Sequence, residues 1–326
     1  MLLILKLFVI INLMIIVYLF KKFIRLFFKL IENVFIILLI PIILIIRLIK
    51  PIIFIRFGKI RNYAFGMHIF AIAFYHKEKE QNKVQSIDLF FYQNNQVLNT
   101  FLDTYTKKRF NVNFIYKYLY LSNLKVFGYQ NHLVEIDHDD YNGLFIDNYY
   151  KFTFNDYENK IGYKFLKKIG FDYSDKIICL IVRDSNYKKN VFPKFDWDYH
   201  NYRDSKIDDF NEAIKYLTKK GYKVLRMGKY VAEKSSFKHA NFFDYASSEL
   251  RTDFLDLWLM AKCSFCISTG TGTDNLALVS NIPIIYLNYL PLINIPTFST
   301  CLVAPKMLYW KKNNKKLKIE DYLSNS

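Results

Sequence analysis

The chain has 326 residues, 52% of them hydrophobic, and a formal charge of +17, which excludes a disordered protein and leaves material for two modest cores. Ten Lys or Arg against a single acid, Glu32, fall within residues 1–62, so half of the net charge sits beside the most apolar segments; that placement points to an anionic membrane surface before nucleic acid. The Lys excess elsewhere reads as a compositional bias shared with Ile, Asn, Phe and Tyr.

Residues 2–20, "LLILKLFVIINLMIIVYLF", are interrupted by Lys6 and Asn12 alone and match the roughly 20 residues that a spanning helix requires. No basic stretch precedes them and no small-residue cleavage site follows, so they read as one crossing in preference to a signal peptide. In "KKFIRLFFKLIEN", residues 21–33, Lys21, Lys22, Arg25 and Lys29 alternate with bulky apolar residues in the manner of a helix lying among headgroups. Val34 to Ile46 is a shorter apolar run with Pro41 near its middle and basic flanks on both sides. It is expected to enter the leaflet, bend and return, leaving the rest of the chain on the cytoplasmic side.

From residue 51 the pattern changes. "PIIFIRFG" (51–58) and "SIDLFFY" (86–92) read as strands with a helix over 65–77 between them, a βαβ start. Residues 94–160 follow neither period; within them His138-Asp139-Asp140 reads as a polar loop, having no further ligand spacing. The second half is more regular. "KIICLIV" (176–182) is long and apolar enough for a strand buried on both faces. Ser205-Lys206-Ile207-Asp208 has the form of a capping box, and Phe210, Ala213, Ile214 and Leu217 recur at helical spacing before Gly221. Strands over 222–226, 242–246, 264–268 and 283–287, with helices over 252–261 and 273–280, complete an alternation that means a parallel, doubly wound sheet. Residues 306–318, "KMLYWKKNNKKLK", read as a solvated helix. Of the four cysteines, Cys263 and Cys266 have the spacing of half a zinc site, but no second pair or histidine cluster accompanies them. All four read as core residues, and no metal is expected.

Such sheets bind ligands at the carboxyl ends of their strands. There lie Arg183, Asp184, Arg226 and the loop in "ISTGTGTDNLALVSNIPIIYLN" (267–288), whose Gly270 and Gly272 permit close backbone approach and whose Ser268, Thr269, Thr271 and Thr273 offer hydroxyls ahead of a helix N-terminus. The loop is neither a P-loop nor a dinucleotide fingerprint.

The runs "IVRDSNY" (181–187), "HNYRD" (200–204), "VLRMGK" (224–229) and "DYASSELRTDFLDLWLMAKCSFCISTGTGTD" (244–274) together resemble a family of bacterial glycosyltransferases of GT-B type associated with surface-polysaccharide synthesis, whose members carry an N-terminal membrane segment. The resemblance is strongest over residues 150–292. It extends to "IRFGKIRNYAFGMHI" (55–69), where the family pattern sets Gly directly before His and Met67 here separates Gly66 from His68. It implies an α/β fold with a GT-B-like pair of Rossmann-like domains, dividing the chain into membrane-associated helices (1–50), an acceptor domain (51–160) and a nucleotide-sugar domain (161–326).

The chemistry implied is transfer of a sugar from a nucleotide-sugar donor to a glycan or lipid-linked acceptor, without metal or cofactor, at the bacterial inner membrane. The negative charge growing on the departing diphosphate must be met. Ser268, Gly270, Thr271, Gly272 and Thr273 are expected to form its cradle, with Arg183, Arg203 and Arg226 as cationic partners. His200, Asp184 and Asp274 are candidates for acid/base work or for orienting the sugar; each also fits an ordinary loop residue. Partners expected are the nucleotide sugar, the acceptor and inner-membrane lipid, with no nucleic acid. Two readings compete: a sugar-nucleotide epimerase or hydrolase on the same fold, and a non-enzymatic membrane-anchored assembly protein.

Overall fold

A computed structural model describes residues 2–136, 140, 143–145, 149–296 and 300–324, with the backbone alone for residues 2–11 and Leu323. His138 and Asp139 lie outside the described residues. In chain order the elements are α1 (Leu2–Leu38), α2 (Ile40–Leu48), β1 (Ile55–Ile60), α3 (Phe65–Asn82), β2 (Ile87–Tyr92), α4 (Thr100–Lys107), β3 (Asn111–Val112), α5 (Ile115–Asn123), β4 (Leu133–Val134), α6 (Asp156–Lys168), β5 (Ile177–Ile181), α7 (Asn186–Val191), α8 (Asn211–Lys219), β6 (Lys223–Met227), β7 (Phe242–Phe243), α9 (Asp253–Lys262), β8 (Phe265–Ser268), α10 (Asn275–Val279), β9 (Ile284–Tyr289), β10 (Cys301–Pro305) and α11 (Ile319–Ser324). They form an α/β fold with two Rossmann-like parallel sheets. Whereas the sequence divides most simply at 50 and 160, the two compact units interleave: unit 1 takes residues 1–59, 85–92 and 110–135, and unit 2 the remainder.

Unit 1 holds the sheet ordered β3-β2-β1-β4. Gly58 on β1 makes room for a ring of β2, since a Cβ there would stand 2.3 Å from Phe90. Arg56 and Asp88 join the same two strands by a two-pronged ion pair, at 2.8 and 2.9 Å. The apolar N-terminus is one 37-residue helix, α1, so the expected spanning and interfacial stretches are continuous. α1 and α2 divide at Leu39, whose backbone stays in the right-handed helical region (φ −84°, ψ −8°), and Pro41 stands in the first turn of α2, where a missing N–H costs nothing. Ile43 and Ile46 of α2 pack with Phe57 of β1, and the Ser122 hydroxyl of α5 donates to the Ile36 carbonyl at 2.8 Å. One face of the run Val34–Ile46, expected to bend into a leaflet, thus belongs to the protein core. Among the described residues, one helical stretch, Asn12–Leu48, running through α1 and α2, is long and apolar enough to cross a membrane.

Unit 2 holds six parallel strands ordered β10-β9-β8-β5-β6-β7. β5, buried along its whole length, lies between β8 and β6, with Ile178 opposite Phe265 and Val224. One sheet face, carrying Ile178, Leu180, Val224 and Ile267, packs with Ile207, Phe210 and Ile214. Two local expectations are corrected. The capping box at Ser205–Asp208 does not form: a short 3-10 turn, Ile207–Phe210, begins without a side-chain cap, and Asp208 accepts instead from the Ser236 amide at 3.1 Å. Residues 306–318 are not a helix either; Tyr309 and Lys316 form an antiparallel bridge, with Asn314 in the left-handed region at φ 53° between them. Helix α11 begins only at Ile319.

Candidate functional site

A cleft in unit 2, with an empty volume of about 1130 Å³ including its mouth, opens where β5, β6 and β8 end. Its walls are the β5 exit through Asp184, Tyr187 and Lys188 of α7, the β6 exit through Lys229, the loop Thr271–Thr273, and the starts of α3 and α4. This is the edge at which a parallel sheet presents backbone amides and helix N-termini to a ligand.

The loop after β8 is held from within. Asp274, buried, accepts from the Ser268 hydroxyl at 2.5 Å and from the Thr271 amide at 2.9 Å. The Gly270 amide is bound by the Ser268 hydroxyl at 3.0 Å and the Thr273 amide by the Thr271 hydroxyl at 3.2 Å. Three of the amides expected to cradle a phosphate are therefore spent on the loop itself. Gly270 takes φ +86° against the Tyr289 ring, while Gly272 is needed for a backbone contact with Gly66 at the start of α3. Burial pushes the Asp274 carboxyl up to about 6. Asp184 is likewise engaged, its two oxygens accepting the amides of Asn186 and Ala232, each at 2.9 Å. Both carboxylates thus organise loops, the ordinary role that the sequence left open for them beside acid/base work.

Cations gather beside this loop. Arg183 pairs with Asp204 at 3.1 Å, and Arg203 donates to the Gly270 carbonyl at 3.3 Å. Lys188 lies 4.1 Å above the centre of the Trp197 ring, and His200 packs on Tyr199 and Trp197. These groups feel one another. Burial and then Arg183 and Arg203 push the Lys188 ammonium down to about 8, and burial followed by Lys188, Arg183 and Arg203 pushes His200 down to about 4. The Arg183 guanidinium is lowered by burial and then by Arg203. Nε of Arg203 and Nδ1 of His200 are buried without a hydrogen-bond partner among the described residues. A group of cations that depress one another, with Asp204 as the carboxylate paired among them, is a site short of negative charge.

Arg226 stands apart. Nearly inaccessible, it pairs with Asp244 at 3.2 Å and donates to the Glu233 carbonyl at 2.6 Å, lining a second cavity of unit 2 instead of the cleft. Its surroundings make it a structural residue, which corrects the expectation that it faces the ligand with Arg183 and Arg203. His68, also buried, bonds Thr106 of α4 at 2.9 Å. Lys188 and Lys229 were missed in the sequence. Lys188 follows the run "IVRDSNY" directly, so its place just beyond the exit of a buried strand was the available signal. Among the described residues, no three His, Cys, Asp or Glu side chains are grouped to hold a metal.

No family model and no curated protein matches the sequence. Among solved structures, the chain is similar to a glycosyl transferase family 9 protein from Veillonella parvula DSM 2008, at 12% identity and a TM-score of 0.51, over 78% of this chain and 86% of that one. It is also similar to the ADP-heptose lps heptosyltransferase II of E. coli, at 12% identity and a TM-score of 0.47, over 83% and 95%. At such identity the first likeness defines a class of fold: two Rossmann-like sheets of the kind found in a solved glycosyl transferase.

Proposed function

We propose that the protein is a membrane-tethered glycosyltransferase. It moves a sugar from a nucleotide-sugar donor to a glycan or lipid-linked acceptor, with its body on the cytoplasmic face of a bacterial inner membrane. The observation that carries this reading is the cluster of Arg183, Lys188 and Arg203 at the carboxyl edge of the six-stranded sheet, where Asp204 is the paired carboxylate. As the glycosidic bond breaks, the leaving diphosphate gains negative charge, and fixed cations aimed at that charge lower the barrier more than they favour the ground state.

Lys188 and Arg183, which line the cleft with Thr271 and Thr273, take the diphosphate, and Arg203, held on the Gly270 carbonyl, adds its charge from beside them. The positive end of α3, eighteen residues long, opens on the cleft as well. His200, neutral at pH 7, offers a hydrogen bond instead of a charge. With side-chain cations meeting the leaving charge, transfer proceeds without a metal.

The test is incubation of the full chain in detergent or vesicles with a panel of nucleotide sugars, with and without glycan and lipid-linked acceptors, in the presence of EDTA. Free nucleotide appearing only with acceptor supports transfer. Release without acceptor, or no binding of any nucleotide sugar in calorimetry, refutes it.

A further inference from the structure

The hydrogen-bond ladder passes from α1 into α2 with the Leu39 amide on Phe35 and the Ile43 amide on Leu39, each at 3.2 Å, so the two helices keep one phase. Along them the side chains sort into two faces. Arg25, Lys29, Glu32, Ile36 and Ile43 recur at helical spacing and share a face. On it Ile36 and Ile43 are buried in unit 1, and Glu32 takes Lys117 of α5 at 2.8 Å. The opposite face carries Phe27, Leu30, Val34, Leu38, Ile45 and Leu48, exposed from 49% at Val34 to 79% at Leu48. From residue 30 to residue 48 that outer side has no polar residue.

Two occupants fit an apolar helix face: a partner helix or lipid. A two-helix seam is narrow and flanked by charges. Here the flanking Ile31, Ile37, Ile42 and Leu44 are also apolar and exposed, which is the breadth that acyl chains cover. The basic residues lie along the side nearer the body, where headgroup phosphates would meet them. The pose follows from length. If α1 stood upright, residues 2–20 would already fill a hydrocarbon core of about 30 Å, and the stripe from Leu30 to Leu48 would project into water.

We propose that residues 20–48 lie in the plane of an anionic membrane surface. The outer stripe sinks among the acyl chains, Lys21, Lys22, Arg25 and Lys29 sit at the headgroups, and unit 1 stands on the aqueous side. The pose rests on the membrane tether proposed above and not on the transfer reaction.

Single cysteines replacing Phe27, Leu38 or Ile45, in the full chain carrying Cys301→Ser, would each bear an environment-sensitive fluorophore. In vesicles of phosphatidylethanolamine and phosphatidylglycerol with quenchers fixed at known acyl depths, the three probes are expected at one shallow acyl depth. A probe at Lys29→Cys is expected nearer the headgroups. Depths graded along the helix, with Ile45→Cys in water, would overturn the pose while leaving the tether intact. So would an absence of lipid quenching at Leu38→Cys and Ile45→Cys together with concentration-dependent energy transfer between chains, the mark of a second copy on this face. A protein that fails to float with the vesicles sinks both pose and tether, whatever the nucleotide-sugar assay reads.

Discussion

Gly66 and Gly272 meet backbone to backbone: a Cβ on Gly272 would stand 2.7 Å from the Gly66 amide nitrogen, and one on Gly66 would stand 2.7 Å from the Gly272 Cα. The contact seats the start of α3 on the loop after β8, at the wall of the cleft. From sequence, Gly272 serves to leave space for a phosphate; in the fold it leaves space for another stretch of the same chain.

Gly272→Ala is therefore expected to lower stability itself. The intruding atom meets backbone, which cannot swing aside, and overpacking of this kind costs roughly 1–3 kcal/mol. Urea unfolding should show the midpoint fall, and Gly272→Asp should fall further and not merely lose affinity for nucleotide. An unchanged midpoint in both variants would remove the packing role.

Asp274 supplies a second test, through pH. Its folded value of about 6 lies above the ordinary one of 3.8, so the fold favours the protonated acid. The contribution is fully present below pH 4 and is lost as pH rises through 6, a difference of about 3 kcal/mol. Measured against Asp274→Asn, which cannot ionise, the relative stability of the native chain should rise on acidification from pH 7 to pH 4. A flat difference would mean that the carboxyl is not held as described. Asp274→Ala, which strands the Thr271 amide and the Ser268 hydroxyl, should cost about 2 kcal/mol or more at any pH.

How far the sequence leads depends on how many residues carry each signal. The five residues of β5 are buried throughout and were legible as an apolar run, as were the strands and helices that alternate after it. By contrast β3 and β4 have two residues each, Asn111–Val112 and Leu133–Val134, and two residues display no period. β10 escaped notice because only one neighbour covers it, leaving Leu302 exposed. In the site, Arg183 was recognisable by residue type and by its place at the exit of β5, whereas Arg203, in the turn Asp198–Arg203, was legible only through the family-like run "HNYRD". The division of labour among the polar residues was not. Whether an aspartate faces a ligand or the amides of its own loop is decided by hydrogen bonds that link residues as far apart as Asp184 and Ala232.

Arg226 and Arg203 should separate cleanly. Arg226→Ala leaves the half-buried Asp244 holding the Ser235 amide but without its cation, a loss of about 1–3 kcal/mol, and is expected to depress the melting temperature while any folded fraction binds nucleoside diphosphate normally. Arg203→Ala removes a guanidinium that has no carboxylate partner in hydrogen-bond reach among the described residues and holds only the Gly270 carbonyl, at 3.3 Å, so stability should fall less and diphosphate binding should weaken. Calorimetry and thermal unfolding on both variants check this. The reverse pattern would move the site to the second cavity.

Lys188 gives the cluster a signature in pH. Its ammonium is pushed down to about 8, and only the protonated form attracts an anion. A bound diphosphate in turn raises the value, so proton and ligand favour one another. Affinity for whichever of UDP, GDP or ADP binds most tightly should be full at pH 7 and fall as pH rises through 8. Lys188→Arg, charged throughout that range, should flatten the curve. Lys188→Ala should lower affinity at pH 7 by about 10- to 100-fold, the worth of one charge-assisted contact, and should weaken the dependence on salt. A native affinity independent of pH between 7 and 9 would show that Lys188 does not touch the diphosphate.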